Sequence, residues 1–282
     1  VTNKTFVVSI TNDSAYEGDE DVTVTLSGAS GTTISGTNPV TLTITEDDAS
    51  PVGTVVSVNF GSDKKSMAAG DTAGVISKSN WNNAAGTSGS LANVNDGSGT
   101  ATTVDVNWDA TTAGQFGTYY AGTTTTGDEN MFRGWLYIKD FWGTTTASNL
   151  VTVSEIPFAQ YDVYLYVQQD SVNRGGSFTV AGQTDYGKAT TLFTGTGPYT
   201  LGGGADWASA TAGNYIKFSG LTNSSFVISS TSLNVQTPLN GMQIVELAPS
   251  PGTVQFADSS YSAEESGSSV TVTVSRVGGS AD

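Results

Sequence analysis

The stretch Tyr161-Asp162-Val163-Tyr164-Leu165-Tyr166-Val167 alternates. In an extended chain successive side chains point to opposite faces, so Val163, Leu165 and Val167 share one face and Tyr164 and Tyr166 the other. The aliphatic face calls for burial against a second layer. Working outward in both directions, runs of the same kind recur between turns rich in Gly, Asn, Ser and Thr. They are Thr5–Ile10, Val22–Leu26, Val40–Thr45, Val55–Phe60 and Phe132–Ile138 before the middle, then Tyr215–Phe218, Phe226–Ser229, Met242–Leu247, Val254–Phe256 and Val270–Arg276. No window carries a convincing amphipathic helix, and Met67–Asn83 offers at most a short helical turn. The expected fold class is all-β.

Composition narrows the chemistry. The 282 residues hold 10 Lys+Arg against 26 Asp+Glu, a net charge of −16, with no Cys and no His. That excludes disulfide scaffolds, Cys/His zinc sites and Cys or His nucleophiles. A field of this sign repels phosphate, so nucleic acid is not an expected partner. No apolar run is long enough to span a bilayer, and no membrane insertion is expected. No signal peptide precedes Val1, so the expectation is a mature chain or an excised piece of a longer one.

Two proline joints divide the chain, at residues 49–53 around Pro51 and 248–251 around Pro249 and Pro251. They leave segments 1–48, 54–247 and 252–282. The first carries eight acids against Lys4, net −7, and the last four acids against Arg276, net −3. The middle holds the remaining −6 over a far longer stretch. Three strands in the first segment and two in the last cannot close a two-sheet sandwich, which needs about seven. Each is expected to be incomplete, and to be finished by strands from adjacent copies or modules, head to tail.

The runs Thr5–Glu20 and Thr43–Asp48 resemble the second half of a Calx-β repeat. Gly252–Phe256, Tyr261–Glu265 and Val270–Gly279 resemble the first half of another. The match covers about 79 residues; its blocks fall in family order, but no complete copy is present. The resemblance implies partial immunoglobulin-like sandwiches that bind Ca²⁺ and occur in tandem in extracellular adhesins. The ligands it implies are Asp13, Glu17, Glu20, Asp47, Asp48 and Glu264. Carboxylates so close would repel one another unless a cation neutralised them. A solvated acidic cluster that keeps the protein soluble is the plainer reading.

Segment 54–247 is large enough to bury a core and reads as a jelly roll. It resembles modules of large bacterial surface proteins in Val58–Ser62, Asn80–Asn83, Tyr161–Val167 and Asn240–Leu247, and is weakly similar to galactose-binding-like and malectin-like jelly rolls. Read as one strand, Met131–Phe141 puts Phe132, Gly134, Leu136 and Ile138 on a core face and Arg133, Trp135, Tyr137 and Lys139 on the other. With Tyr164 and Tyr166 these last form an outer aromatic face with basic donors. Flat apolar plates with polar tips suit the C–H faces and hydroxyls of sugars. A neighbouring domain or a loop laid over the face competes with that reading.

Loop tryptophans Trp81, Trp142 and Trp207 are either anchors tucked into a core edge or exposed plates. Gly202-Gly203-Gly204 reads as a flexible loop, and Asp128-Glu129 as a solvated acidic pair. Asn3, Asn12 and Asn223 head glycosylation sequons that a composition this rich in Ser and Thr produces by chance. The expected function is a non-enzymatic repeat unit of a secreted or cell-surface bacterial adhesin or fibre. Its sandwiches would be calcium-dependent and its jelly roll would bind polysaccharide. The alternatives are a purely structural stalk without ligand and, ranked last, a polysaccharide-active enzyme using a carboxylate pair.

Overall fold

A computed structural model of the chain describes residues 20–31, 33–44, 52–111, 114–118, 126–139, 146–169, 171–190, 199–234, 236–247, 253–256 and 274–277. The chain divides into two units. Val1–Pro51 and Pro249–Asp282 make one, and Val52–Ala248 the other. The predicted strand Thr5–Ile10 lies outside the described residues.

In the first unit β1 (Glu20–Val24) pairs with β2 (Val40–Ile44) in an antiparallel ribbon. The register sets Val22 against Leu42 and Val24 against Val40 on one face. Asp21 and Thr43 face each other on the opposite side, where the Thr43 hydroxyl donates to the Asp21 carboxylate at 2.7 Å.

The second unit opens with β3 (Val52–Phe60), followed by β4 (Asn82–Ala84), β5 (Ser88–Leu91), β6 (Asp105–Asp109) and β7 (Gly114–Thr118). A single helix among the described residues, α1 (Gly127–Arg133), runs directly into β8 (Gly134–Lys139). Then come β9 (Thr146–Ser154), β10 (Tyr161–Tyr166), β11 (Gly175–Val180) and β12 (Gln183–Lys188). The unit closes with β13 (Tyr215–Leu221), β14 (Phe226–Asn234), β15 (Gln236–Leu239) and β16 (Gly241–Leu247). A second ribbon of the first unit, β17 (Thr253–Phe256) with β18 (Val274–Val277), is also antiparallel.

Three sheets build the second unit, ordered β13-β10-β16-β3-β4, β12-β11-β14-β9-β6-β5 and β15-β8-β7. Take β3, β9 to β14 and β16 as strands one to eight in chain order. They then lie 6-3-8-1 in the first sheet and 5-4-7-2 in the second. That is the double Greek key of a jelly roll, in an all-β sandwich. Period-two alternation supplies the core. Val163 and Leu165, Ile216 and Phe218, and Met242 and Ile244 from one sheet meet Val151 and Val153, Phe178 and Val180, and Phe226 and Ile228 from the other.

The expected strand Met131–Phe141 is corrected: its first three residues are the last turn of α1. Thr126 and Glu129 form a capping box. The Glu129 amide donates to the Thr126 hydroxyl at 3.2 Å, and the Thr126 amide to the Glu129 carboxylate at 3.1 Å. Such reciprocal caps satisfy the free amides of a first turn. The helix buries Asn130, Met131 and Phe132, and Gly134 starts the strand. Leu136 and Ile138 still enter the main core. No helix forms in 67–83, which carries turns before β4. Where β3 ends and β8 begins, two glycines permit a close approach. Gly61 has φ +69° and a Cβ there would lie 2.6 Å from the Trp135 amide nitrogen, while one on Gly134 would meet the Gly61 carbonyl.

Candidate functional site

Tyr164 and Tyr166 do point away from the main core, but not into solvent. Tyr166 is 0% exposed, Tyr164 8% and Trp135 4%. The expected open aromatic plate is therefore a correction: the outer face of the five-stranded sheet is roofed. Met67, Ala73 and Trp81 from the β3–β4 connection, with Met131 and Phe132 from α1, pack with Tyr164, Tyr166, Val55 and Val245 into a second hydrophobic cluster. Arg133 belongs to the end of the helix and is half-buried, so it shares no strand face with Trp135. Tyr137 and Lys139 keep strand positions in β8, opposite Pro238 and Gln236; their side chains lie outside the described residues.

A polar network ties the roof to the sheet. The Tyr166 hydroxyl donates to Gln243 Oε1 at 2.5 Å and accepts from the Val75 amide at 2.7 Å. Gln243 Nε2 donates to the Ile76 carbonyl at 2.8 Å and to the Ser57 hydroxyl at 3.1 Å. The Gly74 amide donates to the Tyr199 hydroxyl at 2.7 Å and to Asp128 Oδ1 at 3.1 Å, and the Tyr199 hydroxyl donates to the same carboxylate. Successive amides of a turn pointing one way make a concavity that favours oxygen. Here two phenols and a carboxylate fill it.

Around Tyr166 the rings of Trp81, Phe132 and Tyr199 stand at centroid distances of 5.9, 6.0 and 5.6 Å. Tilted and edge-on packing of this kind adds about 0.5–1.5 kcal/mol per pair beyond buried area. Asp128-Glu129 is thus not a solvated loop pair: Glu129 caps α1, and Asp128 anchors the roof.

Part of this face reaches the surface along β13, the edge strand of its sheet. Tyr215 and Tyr199 are half-buried. The Tyr215 ring lies 6.0 Å from Tyr164 and 6.3 Å from Tyr199. Lys217 Nζ sits 5.3 Å over the Tyr164 ring and 2.6 Å from the Asp162 carboxylate. Burial pulls the Lys217 pKa down, but the hydrogen bond and charge of Asp162 outweigh it and hold the net value above the ordinary one. Neither Tyr215 nor Lys217 stands out in sequence. Their shared face with Tyr164 follows only from the pairing of Lys217 with Tyr164 across β10 and β13.

The tryptophans divide. Trp81 is buried and donates its indole N–H to the Lys78 carbonyl at 2.9 Å, the anchor reading. Trp108 and Trp135 are buried too, and Trp142 lies outside the described residues. Trp207 alone among the described tryptophans stays partly exposed. Its loop is not slack, which corrects the flexible reading of the triple glycine. The amides of Gly202, Gly203 and Gly204 donate to the Tyr215 carbonyl, the Thr211 carbonyl and Asp185 Oδ1 at 2.8, 3.1 and 2.8 Å.

Of the implied calcium ligands, Asp13, Glu17, Asp47, Asp48 and Glu264 lie outside the described residues, and Glu20 is placed by its backbone alone. Among the described residues no group of three or more acidic side chains is arranged to hold a metal, and no helix is long and apolar enough to cross a membrane. Comparison with protein-family models, with curated proteins and with solved structures found no match.

The buried phenols set an alkaline limit on stability. Burial raises Tyr161 to about 12 and pushes Tyr166 well above its usual value. Tyr199 is raised first by burial, then by the charges and bonds of Tyr166 and Asp128. Unfolded tyrosine ionises near pH 10, so above that pH the unfolded state binds fewer protons and stability falls. The contribution is whole below about pH 10 and drains away above it. For Tyr166 the loss approaches about 1.4 kcal/mol per pH unit once the unfolded phenol is ionised. Denaturant titrations of the chain from pH 9 to 12 are expected to show this decline; a flat profile contradicts it.

Proposed function

We propose that the chain is a non-enzymatic part of a secreted or cell-surface bacterial repeat protein of adhesin or fibre type, whose jelly roll binds carbohydrate. The observation that carries the binding role is the edge formed by Tyr164, Tyr215 and Lys217 on β10 and β13. The half-buried Tyr215 ring, backed by the buried Tyr164 and beside the Lys217 ammonium, offers a sugar an apolar plate and a donor. The sandwich beneath holds them at fixed spacing, and ordering them in advance reduces the entropy cost of binding. A purely structural stalk is the second reading. It is favoured by the roof over Tyr166, which turns most of the expected plate into core.

Calcium in the flanking segments belongs to the same proposal. Glu20 pairs with Ile44, so the chain enters β1 and leaves β2 at one end of the ribbon. Glu17 precedes Glu20 by three residues, and Asp47 and Asp48 follow Ile44 by three and four. That order suits an oxygen-rich cation site, which would take Asp13, Glu17, Glu20, Asp47 and Asp48, while Glu264 would serve the site of the other partial repeat. The ribbon also leaves Val40 and Leu42 exposed, at 47% and 39%. Among the described residues the ribbon has two strands, and two strands alone are only marginally stable, which supports completion by further strands of an adjacent module or copy.

Two experiments decide the reading. In affinity electrophoresis against a polysaccharide panel, wild-type chain is expected to be retarded. Tyr215→Ala and Lys217→Ala are each expected to weaken binding about tenfold. Unretarded wild type favours the stalk. Thermal melting with millimolar Ca²⁺ against chelator is expected to show stabilisation that grows as RT ln(1 + [L]/Kd), with Kd of about 10⁻⁴–10⁻³ M. Identical melts in both buffers remove the calcium role.

A further inference from the structure

A second surface of the jelly roll has features of a built site and lies apart from the tyrosine edge in chemistry. Residues Gly203 and Thr211 pair through two backbone hydrogen bonds, at 3.1 and 2.9 Å, and close a small hairpin with Trp207 near its tip. The hairpin is held from several sides. Asp185 accepts from the Gly204 amide, and Asp206 accepts from the Ser209 amide at 2.8 Å. Lys188 Nζ, on β12, donates to the carbonyls of Trp207 and Ala210 at 3.2 and 3.1 Å. The same ammonium stands 4.8 Å from the centroid of the Trp207 ring.

These bonds hold the hairpin backbone in place, and the indole it carries stays only partly buried. Trp207 enters neither hydrophobic cluster of the unit. Large apolar side chains lower the free energy most when buried, yet this indole keeps part of its surface in water on a tightly bonded loop. One face of the ring lies under the ammonium, and a ligand would stack on the part of the ring that stays in water. The local charges define the ligand. Lys188 is engaged by two carbonyls and the ring, which leaves it a poor partner for an incoming anion. Asp206 is exposed beside the indole, and Asp185 is fixed at the hairpin base. A carboxylated or sulfated sugar would meet repulsion from both, whereas a neutral pyranose offers its C–H face to the indole and its hydroxyls to the carboxylates.

We propose that the Gly203–Thr211 hairpin is a second carbohydrate-binding point, with Trp207 as the stacking plate for an uncharged pyranose of a polysaccharide chain. The two places share no side chain, although the Gly202 amide at the root of the hairpin donates to the Tyr215 carbonyl at 2.8 Å. Affinity electrophoresis of the full chain, with neutral glucan, mannan and galactan against pectate and alginate, tests it. The variants are Trp207→Ala, Trp207→Phe and Tyr215→Ala, with melting curves to confirm folding.

The expected result is that Trp207→Ala binds at least one neutral polysaccharide about tenfold more weakly than wild type. Trp207→Phe should retain part of the affinity, and binding to pectate and alginate should not depend on Trp207. The proposal is overturned if Trp207→Ala binds every neutral polymer as wild type does, if polyuronates lose as much affinity as neutral chains, or if wild type binds no neutral polymer. Loss with Tyr215→Ala but not with Trp207→Ala leaves the tyrosine edge standing and removes the hairpin; the reverse pattern removes the edge and keeps the hairpin.

Discussion

The side-chain amide of Gln243 is the constraint on which the second unit turns. It is fully buried on the outer face of β16, where an unbonded amide would cost several kcal/mol. Four partners meet that demand: the Tyr166 hydroxyl, both backbone groups of Ile76, and the Ser57 hydroxyl. Only a backbone folded down onto the sheet supplies the Ile76 groups. The 73–76 turn therefore sits where it does because the amide needs it, and Trp81, Met67 and α1 fill the space beside it. One buried amide in a largely apolar strand has built a wall out of a connection that lacks regular secondary structure.

This explains what could be read in the sequence. Alternation marked the inner faces of β3, β10, β13 and β16, since burial against a second sheet acts residue by residue along a strand. The jelly roll followed from many strands with few helical signals. Two further signals were present but passed over. Thr126-Gly127-Asp128-Glu129 is a capping box in plain view, and it marks the start of the helix that the alternating reading of 131–141 absorbed. In Met242-Gln243-Ile244-Val245 the lone amide in an apolar run marks the outer face of the strand, though not what covers it.

The rest was out of reach because its partners are remote. Gly74 meets Tyr199 across 125 positions and Gln243 meets Ile76 across 167. Nothing local distinguishes a loop that covers a sheet from one that does not, so an aromatic face read as a platform became an interior. Among the described residues, aromatic side chains reach the surface at its margin, Tyr215 and Tyr199, on the separate hairpin, Trp207, and at Tyr186 on β12. Binding is therefore assigned to edges of the sandwich rather than to its broad face. The acidic ribbon end poses the converse case: sequence names its candidate ligands, and of these Glu20 alone falls among the described residues.

Amide hydrogen exchange at Gly74, Val75 and Ile76 tests the roof most directly. These three amides lie outside every strand, so as part of an ordinary surface loop they would exchange within seconds to minutes. If the turn is interior wall, they exchange only with opening of the sandwich, at rates matching the core amides of β10 and β16. Protection at that level is the predicted result. Exchange at loop rates would contradict it, and would mean that Tyr164 and Tyr166 face water after all.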